Sequence, residues 1–367
     1  MFFAPLSLIC RVAHQPFPIV SFRTFYKVHL KTPARFYLNQ MTRSCSTSSP
    51  TSPPSSSSHG NLKFYRRPGN RHPWTEIKKV DEDHFNLLQP DPMRHGWMYG
   101  GDLASQALYC AQQTVEPHLR LSSFHSYYIS PGLKQPLEFK VKRLRDGRHN
   151  SYRRVEVLQG DDKRMVYHAE FMFKRHNALI KNEMVKESEF PCVPAPSELR
   201  TSYELFEELA AQKVDLRTLH GVAFNDDLPF IEHKPCNGAQ FLRGPDEPSL
   251  KQCLWLKYKL ENFSNDANFA DLILVYLSDM GICFAGAMPF PRRIFKIIAS
   301  IDLNGWIHSH DNHFSIQPND YFLYETSCMV HAEKKSLNLG KLWTKDKQLV
   351  ATFVQDALIE PKPESKI

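Results

Sequence analysis

One order of elements, an apolar helix followed by a run of alternating strands, occurs twice in this chain, and it constrains the fold more than any single motif. In the first copy Gly100-Gly101 opens a helix with Asp102 as N-cap, and Leu103, Gln106, Ala107, Cys110 and Ala111 line one face. Strands are expected at Ser122–Ser130, through Leu137, Phe139 and Val141, at Tyr152–Leu158 and at Met165–Phe173. In the second copy a strand through Leu254, Leu256, Tyr258 and Leu260 precedes an apolar helix from Phe269 to Gly286. Strands at Ile297–Leu303, Tyr321–Ala332, Ser336–Trp343 and Leu349–Ile359 follow. Side-chain identity between the copies is low, so the repeat is one of architecture. It predicts an α+β class, with a long helix against a curled antiparallel sheet in each half. The expected divisions are a targeting or disordered extension (1–60), a first domain (61–175), a connector with one helix (176–235), a second domain (236–360) and a tail (361–367).

Charge excludes one function class. The formal +7 comes from residues 1–75, which hold ten Lys and Arg and no acid; without those ten the rest of the chain carries −3. No basic stripe with interleaved aromatics remains for nucleic acid. The eight cysteines are scattered without a CxxC pair and read as small buried hydrophobes. No apolar run is expected to reach the length of a membrane span.

Three polar residues fall where the patterns call for apolar ones. Leu272, Val275, Tyr276, Ile282 and Cys283 form a helical stripe, and Asp279 lies on it. A carboxylate there costs desolvation energy unless it is hydrogen-bonded or used. Gln355 shares a strand face with Ala351, Phe353, Ala357 and Ile359, and Ser300 lies between Ala299 and Ile301. A buried acid, a hydroxyl and an amide on three elements suffice to hold a water and take its proton; satisfied structural groups explain them equally. The amides of Gly100 and Gly101 at a helix start suit an anion or a carbonyl oxygen, although no GxGxxG or GxxxxGK loop is present. A competing cluster, His308, His310 and His313, is one residue short of H-x-H-x-D-H, because Asn312 stands where that dinuclear metal motif needs a carboxylate. No G-x-S-x-G elbow exists.

Six stretches in order, YGGDLASQALYCA, HSYYISPG, RLRDG with YRRVEV, YLSDMG, IASIDLNGWIH and LVATFVQDALI, resemble the acyl-CoA thioesterase II family over about residues 64–360. The resemblance implies a double hotdog fold and hydrolysis of acyl-CoA to fatty acid and CoA. It implies Asp279, Ser300 and Gln355 as the hydrolytic residues, with Gly100 and Gly101 near the substrate and no metal or organic cofactor. Tyr99 and Asp102 stand where the family usually has Phe and Gln, and Ile307 replaces an aromatic. The alternatives are metal-dependent hydrolysis through the three histidines and a non-catalytic acyl-CoA binding paralogue. Aligning Asp102 with Asp271 sets Cys110 opposite Asp279, so one hydrolytic site per chain is expected. The implied partner is the acyl-CoA substrate, with no nucleic acid and no membrane span, and a homo-oligomer stays open. The terminal Ser365-Lys366-Ile367 is one side chain from a peroxisomal Ser-Lys-Leu, while the acid-free N-terminus favours mitochondria as the alternative.

Overall fold

The computed structural model describes residues 72–93, 96–175, 188–212, 230–238, 240–243, 247–259, 267–290, 295–308, 316–317 and 320–362. The N-terminal extension, the terminal tripeptide, His310 and His313 lie outside them.

The first half contains β1 (Lys78–Lys79), β2 (His84–Leu87), α1 (Gly100–Gln112), β3 (Leu119–Tyr128), β4 (Leu137–Asp146), β5 (Asn150–Gln159) and β6 (Arg164–Arg175). A connector carries α2 (Ser202–Ala211). The second half contains β7 (Ile231–Pro235), α3 (Gln240–Arg243), β8 (Lys251–Tyr258), α4 (Ala267–Ser278), β9 (Phe295–Ser300) and β10 (Asp302–Ile307). It ends with β11 (Tyr321–Ala332), β12 (Lys335–Thr344) and β13 (Leu349–Pro361). The strands form one antiparallel sheet in the order β1-β2-β4-β5-β6-β3-β10-β13-β12-β11-β8-β7, with β9 also on β13. The order β4-β5-β6-β3 is mirrored by β11-β12-β13-β10, so the repeat read in the sequence is a real structural one. The halves join where β3 pairs β10, from Tyr127 opposite Asp302 to Ser123 opposite Trp306. Strand β7 pairs β8, so the last part of the expected connector is an edge strand of the second half.

Alternation explains how each sheet takes up its helix. Leu137, Phe139 and Val141 of β4 are buried, while Lys140 and Lys142 face water. Helix α4 is buried on every side, with Ile273 through Leu277 fully enclosed. Each such large apolar side chain contributes about 1.5–3 kcal/mol. One continuous apolar cluster includes residues of both helices and both halves.

The two helices lie antiparallel, which sets up the site. At one end Gln112 Nε2 donates to Asn268 O at 3.1 Å; towards the other, Tyr99 Oη donates to Tyr276 O at 3.0 Å. A buried ion pair ties the halves together. Arg120 of β3 makes two bonds, 2.9 and 2.8 Å, to Asp271 of α4, and the Leu121 N–H donates to the same carboxylate. The Pro-rich 191–196 segment packs over the second half of the sheet, where Trp255 Nε1 donates to Pro194 O at 2.9 Å.

Three expectations need correction. The helix expected over 269–286 stops at Ser278: Gly281 takes φ +74°, a left-handed conformation that ends a helix, and a 3-10 turn, Ile282–Ala287, follows. The single strand expected at Ile297–Leu303 is broken at Ile301. The stretch Asn268–Ala287 is, against expectation, long and apolar enough to cross a membrane, but 89% of its apolar window is buried inside the protein.

Candidate active site

Asp279 stands just past the end of α4, where the chain turns to the 3-10 segment, rather than in mid-helix. Its carboxylate faces the start of α1 from the other half. The N-cap of α1 is Tyr99, not Asp102, and it provides no side-chain cap. The carboxylate of Asp279, from the second half, lies against the start of this helix instead, where the Gly101 N–H favours its charged form. A Cβ at Gly100 would lie 2.5 Å from Asp279 Oδ2, which is why that position has no room for a side chain.

The structure brings Asp279, Ser300 and Gln355 into mutual contact. Gln355 Nε2 donates to Asp279 Oδ1 at 2.9 Å and to Ser300 Oγ at 3.0 Å. Ser300 Oγ donates to the same Oδ1 at 3.2 Å. These bonds fix the amide orientation, because only its nitrogen can donate to a carboxylate. Gln355 Oε1 is buried without a hydrogen-bond partner among the described residues. Burial, the largest cause, pushes Asp279 up to about 6; the bonds from Gln355, Ser300 and Gly101 hold it down, and the nearby charge of Asp102 raises it.

A β-bulge lets Ser300 join this group. Ser300 lies opposite Ala357 in β13, while Asn304 lies opposite Val354, a slip of one residue. Leu303, Gly305 and Ile307 face the core, so strict alternation would turn Ile301 inward and Ser300 out. The extra residue reverses the phase. It is held by Ile301 N–H donating to Asp356 O at 2.8 Å and Asp356 N–H to Asp302 Oδ1 at 2.7 Å.

The first half repeats the bulge without the chemistry. In β3 the register slips at Ser122, with Leu121 opposite Phe173 and Phe124 opposite Phe171. Matching the two bulges places Leu121 at the position of Ser300 and Phe171 at that of Gln355. Both are fully buried apolar residues. Cys110, aligned with Asp279, is also fully buried, and burial pushes its thiol well above the ordinary range.

Of the competing metal residues, His308 Nε2 is 2.8 Å from Thr352 Oγ1; His310 and His313 lie outside the described residues. Among the described residues no group of three His, Cys, Asp or Glu is placed to hold a metal ion. Sequence reasoning missed the bulge, whose only signal was the break in alternation around Ser300-Ile-Asp302. It also missed the buried Arg120–Asp271 pair, although Asp271 interrupts the apolar run of α4.

Comparison with known proteins agrees with this architecture. The family models of the acyl-CoA thioesterase N-terminal and C-terminal domains match residues 89–173 and 208–359. Acyl-coenzyme A thioesterase 8 of Homo sapiens is 25% identical over 299 residues, covering 78% of this chain and 88% of the relative. Acyl-CoA thioesterase 2 of Haemophilus influenzae is 25% identical over 298 residues, covering 77% of this chain and 94% of the relative. Among solved structures, acyl-CoA thioesterase II TesB2 from Mycobacterium marinum superposes with a TM-score of 0.59 at 18% identity, covering 80% of this chain and 98% of that one. A hot dog fold protein from Alicyclobacillus acidocaldarius gives 0.60 at 14% identity, covering 80% and 99%. With both domain models matched in order and the paired helix-on-sheet halves in place, the chain belongs to the acyl-CoA thioesterase II family of double hotdog proteins.

Proposed function

We propose that the chain hydrolyses acyl-CoA by activating a water at Asp279, with Ser300 and Gln355 holding that water in position. The observation that carries this reading is the closed hydrogen-bond triangle of the three residues around a carboxylate whose pKa is about 6. A carboxylate in water is a weak base, and burial strengthens it towards the working pH. Gln355 Oε1, left without a protein partner, provides an acceptor for a water proton. The water oxygen bonds to the thioester carbon, Asp279 takes the proton, and collapse of the tetrahedral intermediate breaks the C–S bond. The departing CoA sulfur then takes that proton. Gly100 lies at the same spot, where its missing side chain leaves room for the Asp279 carboxylate, and the Gly101 N–H favours the charged form of that carboxylate. The test is thiol release from a panel of acyl-CoAs of short to very long chain; binding of acyl-CoA without thiol release would leave a non-catalytic binding protein instead.

One hydrolytic site per chain is part of the proposal, since the first half carries Cys110, Leu121 and Phe171 at the corresponding places. Gln355→Ala is expected to lower kcat by about 10²-fold, on the scale of losing a group that orients the reaction. Cys110→Ala, made in the full chain, should stay within a few-fold of wild type. The reverse pattern in folded proteins would move the active site to the first half.

Peroxisomes are the proposed location, from Ser365-Lys366-Ile367. Imaging of chains lacking either end tests this: removing the last three residues should disperse the protein, whereas unchanged peroxisomal location would refute the signal.

A further inference from the structure

Tyr128, the last residue of β3, has a buried hydroxyl with no hydrogen-bond partner among the described residues. A Cβ at Gly100 would stand 2.9 Å from that hydroxyl and 2.5 Å from Asp279 Oδ2. The phenol and the carboxylate therefore face each other across the notch left by the missing side chain of Gly100. They make no hydrogen bond to each other, so the phenol proton is not committed to the carboxylate. Leaving a buried hydroxyl unpaired is costly, and a fold that keeps one at a reactive carboxylate gains nothing in stability from it.

Two contacts fix the phenol. Its ring packs against Tyr167 at a centroid distance of 5.1 Å. Its backbone N–H donates to Ile301 O at 2.9 Å, at the bulge that turns Ser300 inward. One irregularity in the sheet thus places both Ser300 and Tyr128. Burial first, and then the charge of Asp279, push the phenol well above its ordinary 10, so it holds its proton and acts as a donor. Tyr99, Tyr324 and Tyr167 also feel the charge of Asp279, but the hydroxyls of Tyr99 and Tyr324 are committed to Tyr276 O and Ser278 O, and the atoms nearest the Gly100 notch belong to Asp279 and Tyr128 rather than to Tyr167.

We infer that Tyr128 is a further catalytic residue, its hydroxyl donating a hydrogen bond to the thioester carbonyl oxygen as that oxygen becomes an oxyanion. This rests on the hydrolase reading above. The phenol loses no proton: the electron pair of the C=O bond moves to oxygen when water attacks and returns when the C–S bond breaks. A donor aimed at developing charge in a water-poor site strengthens in the transition state, and so acts on kcat.

The test compares wild type and Tyr128→Phe in thiol release, with thermal unfolding alongside. The substitution removes one oxygen atom that no protein group needs. We expect kcat to fall by about 10²- to 10³-fold, with KM within a few-fold and the melting temperature no lower. The pH limb set by Asp279 should remain near 6. A trifluoromethyl ketone analogue of acyl-CoA, which presents an oxyanion-like centre, should lose affinity for the variant in parallel, while a non-hydrolysable thioether analogue should not. A variant with kcat within about threefold of wild type would overturn the assignment. So would a loss of kcat matched by a lower melting temperature, or weakened binding of both analogues alike. If wild type itself releases no thiol, the hydrolase reading fails first; if wild type is active and the variant equally so, only the role of Tyr128 fails.

Discussion

Asp279→Asn is expected to lower kcat by about 10²-fold or more, the scale on which loss of a general base acts, while the protein still folds. The amide keeps the volume and still accepts from Gln355 and Ser300, but it cannot take a proton from water. Its stability should also depend on pH differently from wild type. Burial raises the folded pKa of Asp279 from the ordinary 3.8 to about 6. The folded state therefore binds the proton more tightly than the unfolded chain. This stabilisation is fully present below the unfolded value of 3.8 and is lost as pH rises through about 6. The shift corresponds to about 3 kcal/mol at most. The melting temperature of the variant relative to wild type should accordingly rise between pH 4 and about pH 7. A variant that hydrolyses acyl-CoA within a few-fold of wild type would refute the water-activation mechanism, whatever its stability.

Asp271→Ala should act in the opposite way, on the fold rather than on the chemistry. Asp271 is fully buried and takes both bonds from Arg120, which is itself 8% exposed. Removing the carboxylate leaves a guanidinium nearly enclosed and strips the Leu121 N–H of its acceptor. A broken buried pair of this kind costs about 3–5 kcal/mol. Because Arg120 belongs to the first half and Asp271 to the second, the loss falls on one of the contacts that join them. Chemical denaturation should show it as a lower midpoint, with the kcat of the remaining folded enzyme near wild type. A midpoint within error of wild type would show that the pair contributes nothing.

These two aspartates show what the sequence does and does not reveal. Asp271 lies within α4 and Asp279 just past its end, and the sequence shows each only as a charge in one apolar stretch; periodicity singled out Asp279 alone, because it falls on the stripe through Leu272, Val275 and Tyr276. What separates them is the partner, and the partners are distant in sequence: Arg120 for one, Ser300 and Gln355 for the other. The antiparallel packing of α1 on α4 brings those partners in, and no local pattern encodes it. Gln355 was legible because β13 alternates without interruption around it. Ser300 was less so, since its direction depends on the bulge at Ile301, and a one-residue slip reverses which face a side chain takes. The end of α4 was misread for a similar reason. Ile282 and Cys283 continue the helical spacing past Gly281, but the left-handed turn there is a backbone property that periodicity does not carry. The repeat itself was plain, because it rests on the order of elements rather than on any one side chain.

The central claim, that Asp279 activates the water, is tested most directly by the pH dependence of kcat/KM for thiol release, since that ratio reports ionisations of the free enzyme. Wild type should rise about tenfold per pH unit at low pH and level off above about 6, where burial has placed the carboxylate. A wild-type profile that stays flat between pH 4.5 and pH 8 would contradict the claim.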